Sequence, residues 1–265
     1  MADEDKIKKQ LLEEVAALRA RVAASEGLLT EEFVANLSIE LRTTFTNVRI
    51  YEALLRERGD EDPERRDQYV AALERETQWL QYGLDKLLCW MHLLAGSEPQ
   101  PPLKVVDLNA VVESEVAGAQ VFADAWKLKL TFAAQPDLPP TLSTEWSLRA
   151  HVLRMILTNA LKYTPSGGEV TVTTGTQEAD GRQWVGFTVR DTGPGIPPDE
   201  QGHVFEPYFR GEAARKAGRP KGTGTGLGLT IARQTVDSLR GRIELASTGV
   251  PGEGTAVSVW LPVAD

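Results

Sequence analysis

The chain has 265 residues, 42% hydrophobic and 25% charged, with a formal net charge of -9. That composition fits a globular chain of one large domain or two small ones, and its acidity argues against nucleic acid and anionic membrane as partners. The single cysteine, Cys89, forbids an intrachain disulfide and fits a reducing compartment.

The longest apolar stretch, near Leu87–Leu94, is far short of the roughly 20 residues needed to span a bilayer. The N-terminus, Met1-Ala2-Asp3-Glu4-Asp5, is acidic and unlike a signal peptide. A cytoplasmic chain without a transmembrane segment is expected. Any sensing outside the cell would fall to another chain or a missing segment.

The first third reads as long helices. Leu11, Val15, Leu18 and Val22 form a heptad seam over a lead-in helix assigned to residues 1–28, interrupted at Ser25 and resumed at Leu29. The pattern continues through Phe33, Leu37, Leu41, Phe45 and Val48 to about Arg58. Gly59 suits a C-terminal cap and Pro63 a first helical position, so a second helix starts there. Its heptad is Leu73, Thr77, Leu80, Leu84, Leu87, Met91 and Leu94, ending at Gly96. Residues 29–96 thus form an antiparallel helical hairpin. One hairpin cannot cover its own seam, so a homodimer with a four-helix bundle is expected.

Residues 97–104 form a linker in which Pro99, Pro101 and Pro102 favour extended chain. Residues 105–265 mix strands and helices. Helices are expected at 108–122, 145–163 and 226–239. Strands are expected at 127–132, 169–175, 183–190, 242–247 and 255–261. The fold class is therefore α plus α/β, the second part a sandwich of one mixed sheet with helices on one face.

Four segments carry the chemistry. Asn159-Ala160-Leu161-Lys162-Tyr163 ends a helix, and Asp191-Thr192-Gly193-Pro194-Gly195-Ile196 follows a strand. Phe205-Glu206-Pro207-Tyr208-Phe209-Arg210 comes next, and Gly222-Thr223-Gly224-Thr225-Gly226-Leu227-Gly228-Leu229 opens a helix. A glycine-rich turn entering a helix N-terminus brings backbone N–H groups and the helix dipole to phosphate. Asn159 offers an amide oxygen to magnesium, and Lys162 a point charge to phosphate. The Asp191 carboxylate can accept a hydrogen bond from an adenine amino group, and Gly193 and Gly195 leave room for the ring. Each segment alone reads as a plain turn or a surface residue. Their order and spacing together point to ATP and Mg2+ as cofactors.

These segments resemble, in order, the N, G1, F and G2 boxes of the histidine-kinase catalytic domain, which belongs to the ATPase superfamily of Hsp90, gyrase and MutL. Phe33-Val34-Ala35-Asn36-Leu37-Ser38-Ile39-Glu40-Leu41-Arg42-Thr43 resembles the family's H box. The resemblance implies a dimerisation hairpin followed by an ATP-binding α/β sandwich, and a response regulator receiver domain as partner. It also implies an upstream sensor domain or partner kinase as a further associate. It places Phe205, Thr223, Thr225 and Leu227 with Tyr163, Ile196 and the glycines in the nucleotide site. Residues 206–223 would be a mobile lid, whose Arg215, Lys216, Arg219 and Lys221 read as a solvated loop in preference to a phosphate cluster.

Two positions depart from the family. The H box normally carries histidine where this chain has Ile39, and proline where it has Thr44. Isoleucine has no lone pair with which to attack the γ-phosphorus. His92, His151 and His203 lie outside any H-box context and read as structural or surface residues. Met155 stands one turn before Asn159, where the kinases commonly carry a second Asn and related ATPases a Glu that activates water. Natural divergence is the preferred origin of Ile39, the other being an engineered His-to-Ile change in an active kinase core.

The leading reading is a pseudokinase that binds ATP–Mg and signals by conformation. A second is a response-regulator phosphatase using Glu40 and Thr43, the pair that supports such dephosphorylation in the family. A third is phosphorylation of a partner in trans, against which Met155 weighs.

Overall fold

The structure, a computed structural model, describes residues 31–58, 62–95, 103–143, 147–217 and 224–264. The lead-in helix expected over 1–28, the turn at Gly59, the linker prolines, and Gly222 and Thr223 lie outside the described residues.

Two long helices form the hairpin, α1 (Glu31–Arg58) and α2 (Pro63–Ala95). Pro63 opens α2 as expected. The Asp62 carboxylate accepts hydrogen bonds from the Glu64 and Arg65 N–H groups at 3.0 and 3.2 Å, satisfying donors that the first turn leaves free. No described helix is long and apolar enough to cross a membrane.

The C-terminal part contains β1 (Lys104–Val106), α3 (Leu108–Trp126), β2 (Lys129–Ala133), β3 (Thr141–Ser143) and a π-helical segment, Ser147–Leu153, that runs into α4 (Arg154–Tyr163). Then come β4 (Glu169–Ala179), β5 (Arg182–Asp191), α5 (Pro198–Gln201), α6 (Glu212–Ala217), α7 (Gly228–Ser238), β6 (Arg242–Ser247) and β7 (Thr255–Pro262). The main sheet has the order β2-β4-β5-β7-β6. Only β2 and β4 are parallel; the other pairs are antiparallel. β4 and β5 are joined by Asp180 and Gly181, both at positive φ (53° and 67°), the residue pair a two-residue hairpin turn favours.

The core lies on one face of this sheet. Val170, Val172, Val185, Phe187, Val189, Val257, Val259 and Leu261 point into it, alternating along their strands with more exposed residues. Val112, Val116, Ala119 and Ala123 of α3 cover it, with Ile156, Leu157 and Leu161 of α4 and Ile231 and Val236 of α7. α3 starts at Asp107, whose carboxylate accepts the Ala110 N–H at 3.2 Å. Arg154 ties α4 to α3 through a two-pronged pair with Glu115, at 2.7 and 2.9 Å.

The strands and helices fall where the sequence pattern puts them, with differences at their ends. The helix expected at 145–163 is two conformations, and its π-helical first half buries Leu148, Ala150, His151, Val152 and Leu153 together. The strands β1 and β3, three residues each, pair with one another antiparallel and were not expected. The larger difference concerns α2. Within its heptad seam, Leu84 and Met91 are exposed. Trp79, Tyr82, Lys86, Cys89 and Trp90, a stripe on another face, are buried and join the core of the α/β part. The second hairpin helix therefore has two apolar faces.

Trp79 packs edge-on against Phe122 and Trp126 of α3, each with ring centroids 5.7 Å away. The Tyr82 hydroxyl lies 2.8 Å from the Thr158 hydroxyl and 3.5 Å from the Met155 sulfur. The Trp90 indole N–H donates to the Tyr208 hydroxyl at 3.0 Å. Beside this seam is His151. Burial, and secondarily the charge of nearby His92, lower its pKa from 6.5 to about 4.

A histidine with a depressed folded-state pKa is harder to protonate in the folded chain than in the unfolded one. Its contribution is complete above pH 6.5 and is lost as pH falls toward 4. A shift of this size corresponds to roughly 3 kcal/mol. Melting curves across this range should show the wild type losing stability more steeply than a His151→Phe variant. Parallel curves would contradict the assignment.

Candidate functional site

One cavity lies between α4, α7, the ends of β5 and β7, and α2. Its wall includes Asn159, Lys162, Tyr163, Asp191, Gly195, Ile196, Gly224, Thr225, Gly226 and Gly228. The structure thus brings together parts of three of the four motif segments that the sequence singles out, and Phe209 and Arg210 of the remaining one line the same cavity.

Asp191 ends β5 and is fixed by backbone. Its Oδ1 accepts the Gly193 N–H at 2.8 Å and the Thr255 N–H at 3.3 Å. Burial raises its pKa, and those two N–H donors and Arg190 oppose the rise. One carboxylate oxygen is thereby occupied by the protein itself. Gly193 contributes from behind: a Cβ there would stand 2.7 Å from that oxygen, and Gly193 does not line the cavity.

At the other end, Gly224 is surrounded by polar atoms. A Cβ at Gly224 would come within 3.0 Å of Lys162 Nζ, 3.6 Å of the Tyr163 hydroxyl and 3.9 Å of Arg210 Nε. Lys162 is 5% exposed and its ammonium lies 6.0 Å from the Trp79 ring centroid and 5.8 Å from that of Tyr163. The Thr225 hydroxyl is buried without a hydrogen-bond partner among the described residues. Asn159 faces Gly228 at the start of α7, with its amide 3.5 Å from where a Cβ would stand. Bare backbone at a helix start, a hydroxyl unpartnered among the described residues and two cations are groups able to receive an anion.

Other predicted residues sit elsewhere. Phe205 is not in the wall; its ring lies 5.0 Å from the Arg233 guanidinium. Leu227 is buried in the core. Met155 is fully buried, with its sulfur at Tyr82, and does not line the cavity. Ile39 and Thr43 stand on α1, Ile39 54% exposed and Thr43 half-buried one turn on, while Thr44 is buried. Arg215 lies within the short helix α6, inside the segment read as a loop. Among the described residues no cluster of three His, Cys, Asp or Glu side chains could hold a metal ion. Sequence reasoning missed Trp79, Tyr82 and Lys86, which α2 adds to the wall. Aromatic residues at 79, 82 and 90, all off the heptad seam, were the available signal.

Residues 147–265 match the family of histidine kinase-, DNA gyrase B-, and HSP90-like ATPases. The chain is 30% identical over 229 residues to the sensor histidine kinase YkoH of Bacillus subtilis, covering 86% of this chain and 47% of that protein. It is 32% identical over 232 residues to the sensor-like histidine kinase SenX3 of Mycolicibacterium smegmatis, covering 87% of this chain and 57% of that one. The likeness extends well upstream of the ATPase domain, and the chain spans about half the length of these curated relatives. Full-length ShkA, solved in complex with AMPPNP, superposes with a TM-score of 0.56 at 27% identity, over 89% of this chain and 46% of that one.

The glycines of this site are not equivalent. Gly226 has φ +69°, and a Cβ there would fall 2.5 Å from the Tyr208 carbonyl carbon. At Gly228 the nearest atom would be 3.5 Å away. Gly226→Ala should destabilise the fold by about 2–4 kcal/mol and Gly228→Ala by under about 1 kcal/mol, measured by denaturant unfolding. Equal losses would contradict the close approach at Tyr208.

Proposed function

We propose, on the premise that residues 147–265 form an ATPase domain of the histidine kinase, gyrase B and HSP90 type, that this chain is a two-component pseudokinase. It binds Mg-ATP and takes no phosphate at the H-box position. The supporting observation is the contrast between a cavity that gathers Asn159, Lys162, Asp191 and Gly224 and an exposed isoleucine at position 39.

The residues present suit the nucleotide. The free lone pairs of Asp191 can accept a hydrogen bond from an adenine amino N–H while Gly193 and Thr255 hold the carboxylate still. Lys162 and Arg210 meet phosphate at Gly224, where a side chain would block the approach. The Asn159 amide oxygen and the phosphates themselves would hold Mg2+. When bound, Mg-ATP supplies an electrophilic γ-phosphoryl group. The side chain at the H box's acceptor position cannot accept it: Ile39 is alkyl, and a nucleophile needs a lone pair. Met155, sulfur turned to Tyr82, supplies no carboxylate to activate water.

Dimerisation through the hairpin fits the exposed Ile39, Phe45 and Ile50 of α1 and Leu84, Leu88 and Met91 of α2, whose burial would need a second copy. A response regulator receiver domain is the partner this arrangement suits. The second reading, regulator dephosphorylation by Glu40 and Thr43, draws support from Thr43 standing one turn from an exposed Ile39 on α1.

Incubation with γ-labelled ATP should leave the chain unlabelled while a non-hydrolysable analogue binds with Mg2+. Acid-labile, base-stable phosphate on the protein would overturn the pseudokinase reading. Addition of a phosphorylated receiver domain separates the two readings: faster loss of its phosphate, abolished by Thr43→Ala, establishes the phosphatase.

A further inference from the structure

We propose that Trp90, carried by the hairpin, is a positioning residue for the nucleotide site: through Tyr208 it holds the glycine turn in the shape that receives phosphate. The inference rests on the nucleotide reading above. It adds to that site a residue that lies outside residues 147–265 and does not line the cavity.

Trp90 is 1% exposed, near the C-terminal end of α2. Its indole N–H donates to the Tyr208 hydroxyl at 3.0 Å. The two rings meet edge-on, with centroids 6.0 Å apart and planes at 85°. An indole N–H is a donor only, and burying it without an acceptor is unfavourable. The Tyr208 hydroxyl meets that demand, and its ring is anchored from the hairpin side.

The backbone of Tyr208 has φ 66°, a left-handed conformation that a non-glycine residue keeps only where its surroundings impose it. Its N–H donates to the Gly226 carbonyl oxygen at 3.1 Å. The two backbones pack so closely that a Cβ at Gly226 would stand 2.5 Å from the Tyr208 carbonyl carbon. Tyr208 and the glycine turn therefore hold one another in place. On one side Phe209 and Arg210 follow Tyr208 into the cavity wall, and on the other Gly224, Thr225 and Gly226 form it. Loss of the Trp90 anchor removes a constraint that keeps Tyr208 left-handed. This end of the cavity then spends less time in its binding shape, and apparent affinity falls by that fraction. The Asp191 end is fixed by Gly193 and Thr255, apart from Tyr208, and keeps its geometry.

Binding calorimetry on the full chain, with adenosine and with a non-hydrolysable ATP analogue plus Mg2+, tests this. Trp90→Phe keeps a buried ring and loses the N–H; Tyr208→Phe keeps the ring and loses the hydroxyl. Each should weaken the analogue by about threefold to tenfold, the range one net hydrogen bond covers, and leave adenosine within about twofold. The double variant should bind no more weakly than the weaker single one, because both changes remove the same bond. A merely structural Trp90 would lower both affinities alike. Unchanged analogue affinity in both single variants, losses that add in the double variant, or equal losses for analogue and adenosine would overturn the assignment and leave the nucleotide site standing. A wild-type chain that binds neither ligand would overturn the nucleotide reading itself, and the assignment with it.

Discussion

The packing of α2 against the α/β part is the constraint on which the site depends. α2 runs antiparallel to α4: Trp79 lies by Lys162, Tyr82 by Thr158 and Met155, and Asp85 within 3.9 Å of Arg154. α4 is the helix that carries Asn159 and Lys162. Further along, Trp90 fixes Tyr208, a residue at positive φ whose N–H donates to the Gly226 carbonyl oxygen at 3.1 Å. One face of one helix thus touches the cation-bearing helix and reaches the glycine turn through Tyr208. Most of the contact is aromatic and buried, so its strength comes from area removed from water and from ring geometry, with hydrogen bonds setting the register.

This contact also accounts for Met155. The position sits beside Asn159 and Gly228, yet its side chain is spent on Tyr82 and the core. A carboxylate there would be buried against a tyrosine hydroxyl and aliphatic groups and would need compensation. Methionine fits the gap and carries no charge. The uncharged side chain at position 155 is the one that meets Tyr82 where α2 packs on α4. On α1, position 39 is an exposed isoleucine, whose side chain has no lone pair. Docking of α2 puts the Trp79 and Tyr82 rings in the same cavity wall as Lys162 and Asn159.

Much of this was legible from residues alone because each signal is local. Alternating valines in Val170-Thr171-Val172 mark a strand with one buried face. Asp191 followed by glycines marks a strand end, and Gly224 to Gly228 mark a helix start. What escaped depends on tertiary contact. The heptad of α2 masks a second face, since Trp79, Tyr82, Lys86 and Trp90 acquire meaning only when α4 arrives. Phe205 looks like a pocket residue by its position, but its ring is taken by Arg233. The strands β1 and β3 are too short to show a period, and pair because the chain returns beside itself. The π-helical segment breaks the 3.6-residue spacing at a point where the sequence shows nothing unusual.

If the cavity and the hairpin are one unit, nucleotide must be felt along α2. Amide hydrogen exchange of the full chain, with and without a saturating non-hydrolysable ATP analogue and Mg2+, tests this most directly. Slower exchange across residues 79–90 together with 155–163 is the predicted result. Slowing confined to 155–163, with 79–90 unchanged or faster, would contradict the account.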